Sequence, residues 1–207
     1  MFITFEGTEG SGKSSQVDAL AAYLRQKGYD VLTTREPGGT SISEQVRAVL
    51  SNLENTEMHP RTETLLFQAA RAQLVEQVIR PHLARGGVLL SDRYADSTLA
   101  YQGYGHQQDL VKLRGLLAYA TGGLVPDLTL LFDLDVEEGL LRRAKGGEWN
   151  RLDAYDKAFY QRVREGYHHL ARQEPGRWVF IDAAQSPEAV QQAVRRAVGE
   201  RLGITGG

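Results

Sequence analysis

Apolar positions along the chain fall into two alternating kinds of run. Residues 2–5 (FITF) form a short, almost continuously apolar run; after a glycine-rich turn, Val17, Leu20, Ala21 and Leu24 recur on one helical face. Gly28 stands where a C′ glycine ends such a helix. Residues 31–34 (VLTT) predict a second strand, and Ile42, Val46, Val49 and Leu50 a second helical stripe. From about Glu63 a longer helix is expected, with Leu66, Ala70, Leu74 and Val78 at four-residue steps, until Pro81 kinks or restarts it. Residues 87–91 (GVLLS), 128–132 (LTLLF) and 178–181 (WVFI) read as strands buried on both faces, each followed by an aspartate: Asp92, Asp133 and Asp182. A last stripe, Val190, Val194, Val198 and Leu202, follows Ser186 as helix cap and Pro187 as first helical residue. Five strands alternating with helices predict one α/β domain over residues 1–207, a five-stranded parallel sheet with helices on both faces. In such a sheet ligands sit at the carboxyl ends of the strands, so the residues just after each run are the ones to read for chemistry.

Composition narrows the classes. The 207 residues are 42% hydrophobic and 24% charged, ordinary for a globular chain and unlike a disordered or collagenous one. With no cysteine, disulfide scaffolds, thiolate zinc sites and cysteine nucleophiles are excluded. Twenty-four Lys and Arg against 26 Asp and Glu leave a net charge of −2, so no global basic field points to nucleic acid. No apolar run approaches the ~20 residues that span a bilayer, and residues 1–10 (MFITFEGTEG) lack the basic start of a signal peptide. The expectation is a soluble, cytoplasmic protein with neither membrane nor nucleic acid as partner.

The first turn carries the strongest motif. Gly7-Thr8-Glu9-Gly10-Ser11-Gly12-Lys13-Ser14, with Ser15 beside it, fits G-x-x-x-x-G-K-[ST] between a predicted strand and a predicted helix. Glycines let successive backbone N–H groups turn inward toward phosphate oxygens, and the following helix presents its positive end. Lys13 is placed to reach β- and γ-phosphates and the Ser14 hydroxyl to ligate Mg²⁺. The chain is expected to bind a nucleoside polyphosphate, ATP if it is a kinase.

Three kinds of P-loop protein compete: a switch GTPase, an ATPase motor and a small-molecule kinase. No D-x-x-G occurs, Asn150-Arg151-Leu152-Asp153 is a poor N-K-x-D, and the chain leaves no room for a motor's further domains. A kinase needs an acceptor pocket and extra cations for the migrating phosphoryl group. Asp92-Arg93 follows the third strand, where the aspartate can serve the metal's water shell and the arginine can grip phosphate bidentately. Arg142, Arg143, Lys145 and Arg151 flank Gly146-Gly147 and predict a short lid at about 142–153, although such a basic run is also compatible with a solvated helix face.

With these residues the chain resembles the bacterial thymidylate kinases, which are P-loop nucleoside monophosphate kinases. The resemblance rests on the P-loop, on residues 35–40 (REPGGT), 67–71 (FQAAR), 92–94 (DRY) and 97–103 (STLAYQG), on residues 126–129 (PDLT), and on Arg151 followed by Leu152-Asp153. It spans about residues 3 to 185. It implies the three-layer P-loop kinase fold, ATP with Mg²⁺ as phosphoryl donor, dTMP as acceptor, and a homodimer with the helix around Leu65 to Val78 as a candidate face. By the same resemblance Phe67 would stack on thymine, Arg71 would hydrogen-bond the base, and Ser97, Thr98 and Gln102 would line the pocket. Tyr101 would pack beneath the deoxyribose, Arg93 and Arg47 would hold the acceptor phosphate, and Glu9 would lie near the acceptor sugar and metal-bound water. Metal contacts fall to Ser14 and Asp92. Some members carry the transfer-assisting arginine directly after the acidic P-loop residue; Gly10 stands there in this chain. The cation is therefore expected from the lid, Arg151 first and Arg143 or Arg142 second, with Arg142 also assigned to ATP. Around the lid arginine the chain departs from the family's D-R-x-E and reads Asn150-Arg151-Leu152-Asp153. A kinase for another nucleoside monophosphate and a nucleotide-gated regulatory protein are the alternatives.

Overall fold

The computed structural model describes residues 1–146 and 150–204. Gly147, within the expected lid, lies outside them. Each apolar run becomes a strand that ends one residue past it: β1 (Phe2–Glu6), β2 (Val31–Arg35), β3 (Val88–Asp92), β4 (Leu128–Asp133) and β5 (Trp178–Asp182). In every case the added residue is charged, so each strand delivers an ionisable side chain to the same edge. The sheet order is β2-β3-β1-β4-β5 with all pairings parallel. That order places β1, and the loop after it, at the centre of the edge where ligands bind.

The alternation within β1 assigns its two faces. Ile3 and Phe5 enter a core shared with α1 (Lys13–Gln26) and α9 (Pro187–Leu202), including Val17, Leu20, Leu130, Phe132, Val190 and Val194. Thr4 and Glu6 point to the opposite layer, where the Thr4 hydroxyl meets that of Thr129 across the β1–β4 register at 2.9 Å. The second core lies there, built by α6 (Leu110–Thr121), α8 (Lys157–Gln173) and the segment after α5 (Ala95–Thr98), with Leu113, Tyr160, Val163, Tyr167 and Trp178. Ser186 caps α9 by accepting from the Ala189 amide, with Pro187 in the first turn.

Two sequence expectations are refined. α2 (Ser41–Ser51) forms, but only Leu50 of its apolar stripe is buried; Ile42 and Val49 are 52% and 45% exposed. Its buried contact is polar instead, Ser43 donating to the Ala70 carbonyl at 2.8 Å. The long helix is α3 (Pro60–Leu74), which widens into a π turn at Val75–Ile79 before α4 (Arg80–Ala84) restarts with Pro81 in its first turn. A second π turn, Leu99–Gly105, follows α5 directly and carries Tyr101 and Gln102. Gly103 and Gly105 permit it, since a Cβ at either would lie about 2.5 Å from Leu110 or Phe159. The segment expected as a lid, about 142–153, takes in the end of α7 (Val136–Lys145) and, among the described residues, a 3₁₀ turn at Arg151–Asp153.

Candidate active site

The glycine-rich loop turns between β1 and α1 as the motif requires. Lys13 is buried and its ammonium donates to the carbonyls of Gly7 (3.1 Å) and Thr8 (2.8 Å) and to Ser11 Oγ (3.1 Å). Burial, with the nearby Arg93 charge, lowers its pKa to about 8. Ser11 Oγ donates to the Thr8 carbonyl and Ser15 Oγ to that of Gly12, closing the loop on itself. Ser14 Oγ meets Asp92 Oδ2 at 2.5 Å, bringing the two expected metal contacts together. Among the described residues no cluster of three or more His, Asp or Glu could cage a metal by itself. A hydroxyl beside one carboxylate suits Mg²⁺, which keeps several waters and is completed by phosphate oxygens.

Gly10 has φ +71°, and a Cβ there would lie 2.1 Å from the Gly139 carbonyl oxygen; a Cβ on Gly139 would in turn lie 2.6 Å from the Glu9 carbonyl. The P-loop and α7 therefore meet backbone to backbone. No side chain fits at position 10, which is a steric reason for any assisting cation to come from elsewhere.

Arg93 ties the loop to the rest of the site. It follows β3 with φ +72°, a left-handed conformation that costs a non-glycine residue on the order of 1 kcal/mol or more. Its Nη2 donates to Glu9 Oε1 (2.9 Å) and Tyr101 Oη (3.0 Å), and its Nη1 to Ser97 Oγ and Tyr167 Oη (both 3.2 Å). The Tyr101 hydroxyl donates to Glu9 Oε2 at 2.7 Å, and the guanidinium lies 4.8 Å from the centre of the Tyr101 ring. Underneath sits Glu6, which accepts from the Tyr94 amide (2.8 Å), Ser97 Oγ (2.6 Å) and Tyr167 Oη (2.8 Å). Burial, aided by the Asp96 charge, pushes its pKa up to about 7 against these bonds and the Arg93 charge. Sequence reading assigned Glu6 nothing; the available signal was a carboxylate ending a fully buried strand immediately before the P-loop.

One cavity of about 320 Å³ runs from Lys13, Ser14 and Asp92 past Arg93 and Tyr101 to Phe67, Thr98 and Gln102. Arg47, Arg71, Ser97, Glu9 and Gly10 line it as well, so most of the expected site residues share one cleft. Arg71 is held harder than a bare base contact would suggest. Its Nε donates to Glu36 Oε2 (2.7 Å), its Nη1 to Gln68 Oε1 and Thr98 Oγ1 (both 2.9 Å), and its Nη2 to the Tyr94 carbonyl (3.0 Å). At most one of its five N–H groups is left for a ligand. Glu36, Glu63 and Tyr155 also line the cleft, and no sequence motif assigns them a role there. Glu36 lies in the REPGGT segment, and its Oε1 is buried without a hydrogen-bond partner among the described residues.

The three candidate lid arginines are placed differently. Arg143 lines the cleft, paired side-on with Asp153 (Nε to Oδ1 2.8 Å, Nη2 to Oδ2 2.7 Å). Arg151 donates instead to Glu63 Oε2 and to the Leu50 carbonyl, both at 2.7 Å, because a buried carboxylate on α3 needs a countercharge. Arg142 pairs with Glu138 and donates to the Ala183 carbonyl, beyond the cleft lining. Asn150 caps the 3₁₀ turn by accepting from the Leu152 amide, and Asp153 accepts from the Asn150 amide, so the departure from D-R-x-E still closes the turn.

The family model described as Thymidylate kinase matches residues 5–194. The chain belongs to the thymidylate kinase family. It is 51% identical over 202 residues to a thymidylate kinase of Exiguobacterium sp., covering 98% of this chain and 95% of that one. To the thymidylate kinase of Roseiflexus castenholzii it is 50% identical over 211 residues, covering 96% and 92%. The crystal structure of the Ehrlichia chaffeensis thymidylate kinase superposes with a TM-score of 0.77 at 34% identity, covering 96% of this chain and 98% of that one. The family and the fold expected from sequence are thereby shown.

The Gly10–Gly139 contact yields a prediction. Gly139→Ala should force α7 and the P-loop apart, an overpacking cost of about 1–3 kcal/mol, and weaken binding of a non-hydrolysable ATP analogue ~10-fold in calorimetry. Unchanged nucleotide affinity would show that the contact yields without strain.

Proposed function

We propose that the chain catalyses in-line transfer of the ATP γ-phosphoryl group to the phosphate of dTMP, giving dTDP and ADP in the cytoplasm. The supporting observation is a single cleft lined by the phosphate-binding Lys13 and Ser14 and by an aromatic and amide-lined acceptor wall, with Arg93 hydrogen-bonded to both sides. A phosphate oxygen of dTMP forms the new P–O bond while the bond to the ADP oxygen breaks. The acceptor is already anionic, so positioning and charge neutralisation suffice and no strong base is required. Lys13 and the loop amides hold the β- and γ-phosphates. Ser14 and Asp92 would hold Mg²⁺, which when bound neutralises charge shared between those phosphates. Arg93, oriented by Glu9 and Tyr101, holds the acceptor phosphate, with Arg47 beside it; Phe67 faces the base.

We assign the transfer-assisting cation to Arg143, because it lines the cleft together with its partner Asp153, whereas Arg151, paired with Glu63, is not among the lining residues. A homodimer is the assembly this reading favours. Leu65 on α3, Ile42 on α2 and Tyr119 on α6 are 55%, 52% and 91% exposed, and α3 packs between the other two helices. Among the described residues no helix is long and apolar enough to cross a membrane.

ADP release with Mg-ATP and a panel of dTMP, dUMP, dCMP, AMP, CMP and UMP tests the activity. Preference for dTMP is expected; a different preferred acceptor would overturn the base contacts, and no stimulation by any of them would overturn the kinase reading. Arg143→Ala should lower kcat ~10³-fold with dTMP KM nearly unchanged, whereas Arg93→Ala should also raise that KM. Equal effects on both parameters in Arg143→Ala would remove its assignment. For the assembly, sedimentation should give twice the chain mass, and Leu65→Glu should give the single-chain mass; a wild-type protein sedimenting as one chain would remove the dimer.

A further inference from the structure

The acceptor wall contains two polar side chains whose hydrogen-bonding sense is dictated by residues behind them. Thr98 Oγ1 accepts from Gln68 Nε2 (3.1 Å) and from Arg71 Nη1 (2.9 Å), which uses both of its lone pairs. Gln68 cannot reverse, because its Oε1 accepts from Arg71, and Arg71 has no acceptor to offer. The Thr98 hydroxyl is left only as a donor. Gln102 is constrained in the opposite sense. Its Nε2 donates to Glu63 Oε1 at 3.0 Å, which leaves its Oε1 as an acceptor with no partner among the described residues. Both side chains line the cleft.

The rigidity of the second constraint comes from Glu63. Its carboxylate also takes the Arg151 guanidinium and the Tyr155 hydroxyl on Oε2 (both 2.7 Å), and His106 Nε2 lies 3.3 Å from Oε1. Burial would raise its pKa, but the hydrogen bonds from His106, Tyr155 and Arg151 outweigh it and hold Glu63 at about 2. It therefore remains a carboxylate, an acceptor at every lone pair, near neutral pH. An amide facing it can present only its nitrogen.

We propose that Glu63 is a positioning residue for base specificity, locking Gln102 with its carbonyl toward the cleft so that the wall accepts an imide N–H and rejects a ring nitrogen that is itself an acceptor. This rests on the acceptor assignment above and deepens it. Thymine and uracil carry an N–H at ring position 3 between two carbonyls, which matches an acceptor beside a donor. Cytosine carries a lone pair at that position and would face the Gln102 carbonyl oxygen with no proton between them. The wall thus separates imide pyrimidines from cytosine by polarity, while its hydrogen bonds take no account of the 5-methyl group.

Glu63→Gln is the direct test. In that variant the new carbonyl must serve Arg151 and Tyr155, so the new amide nitrogen faces Gln102 and turns it over. The dTMP-to-dCMP ratio of kcat/KM should fall ~10–100-fold, the range for a buried hydrogen bond of the wrong sense, with dCMP turnover rising and the dTMP-to-dUMP ratio unchanged. Glu63→Asp keeps an acceptor-only group and should retain the preference even if both KM values rise, which keeps the test decisive where the glutamine variant folds poorly. Parallel losses for dTMP and dCMP in Glu63→Gln, or loss of the preference in Glu63→Asp, would overturn the role of Glu63. Wild-type enzyme that does not prefer dTMP to dCMP would instead overturn the acceptor assignment on which it rests.

Discussion

The site is organised around the partly buried ion pair of Glu9 and Arg93. One partner comes from the P-loop after β1 and the other from the turn after β3, strands that are neighbours in the sheet. The pair is mostly shielded from solvent, so each charge supports the other, and removing either would leave a poorly solvated ion in the cleft wall. The part of the cleft next to the P-loop is referred to it. Tyr101 bonds to both partners and brings in the π turn; Ser97 and Tyr167 link Arg93 to Glu6 beneath, and Glu6 fixes the Tyr94 amide next to Arg93. The unfavourable backbone of Arg93 is sustained by this surrounding set of bonds, the usual circumstance in which such strain persists at a functional site.

Much of this was legible in the sequence, because it depends on short spacings. The P-loop is local chemistry, and the five apolar runs named the strands whose ends carry Glu6, Asp92 and Asp133. The turn residues of α9 were readable for the same reason, since capping is decided within four residues. Family motifs then named Phe67, Arg71, Thr98, Tyr101 and Gln102, which the fold gathers into one cleft.

What escaped depends on contacts between distant segments. The stripe of α2 shows a period but not what covers it, and its Ile42 and Val49 remain outside the core of the single chain. Glu6 looked like the end of a strand because its donors come from residues about 90 and 160 positions away. Arg151 and Arg143 are of one residue type, and only their partners, Glu63 on α3 and Asp153, separate them. The π turn at Leu99–Gly105 likewise depends on Leu110 and Phe159 packing against glycine backbone, which no periodicity expresses.

The meeting of Gly10 and Gly139 has a mechanical meaning. Two backbones in contact, with no side chain between them, form a bearing with almost no play. The start of α7 cannot advance on the P-loop, so any displacement of this helix toward the cleft would have to pivot about Gly139 and grow with distance from it. Arg143, one helical turn beyond, sits on a short lever and keeps its reach into the cleft. The end of α7 sits on a longer one. The geometry makes the glycine-rich loop a fixed anvil for the helix that packs on it.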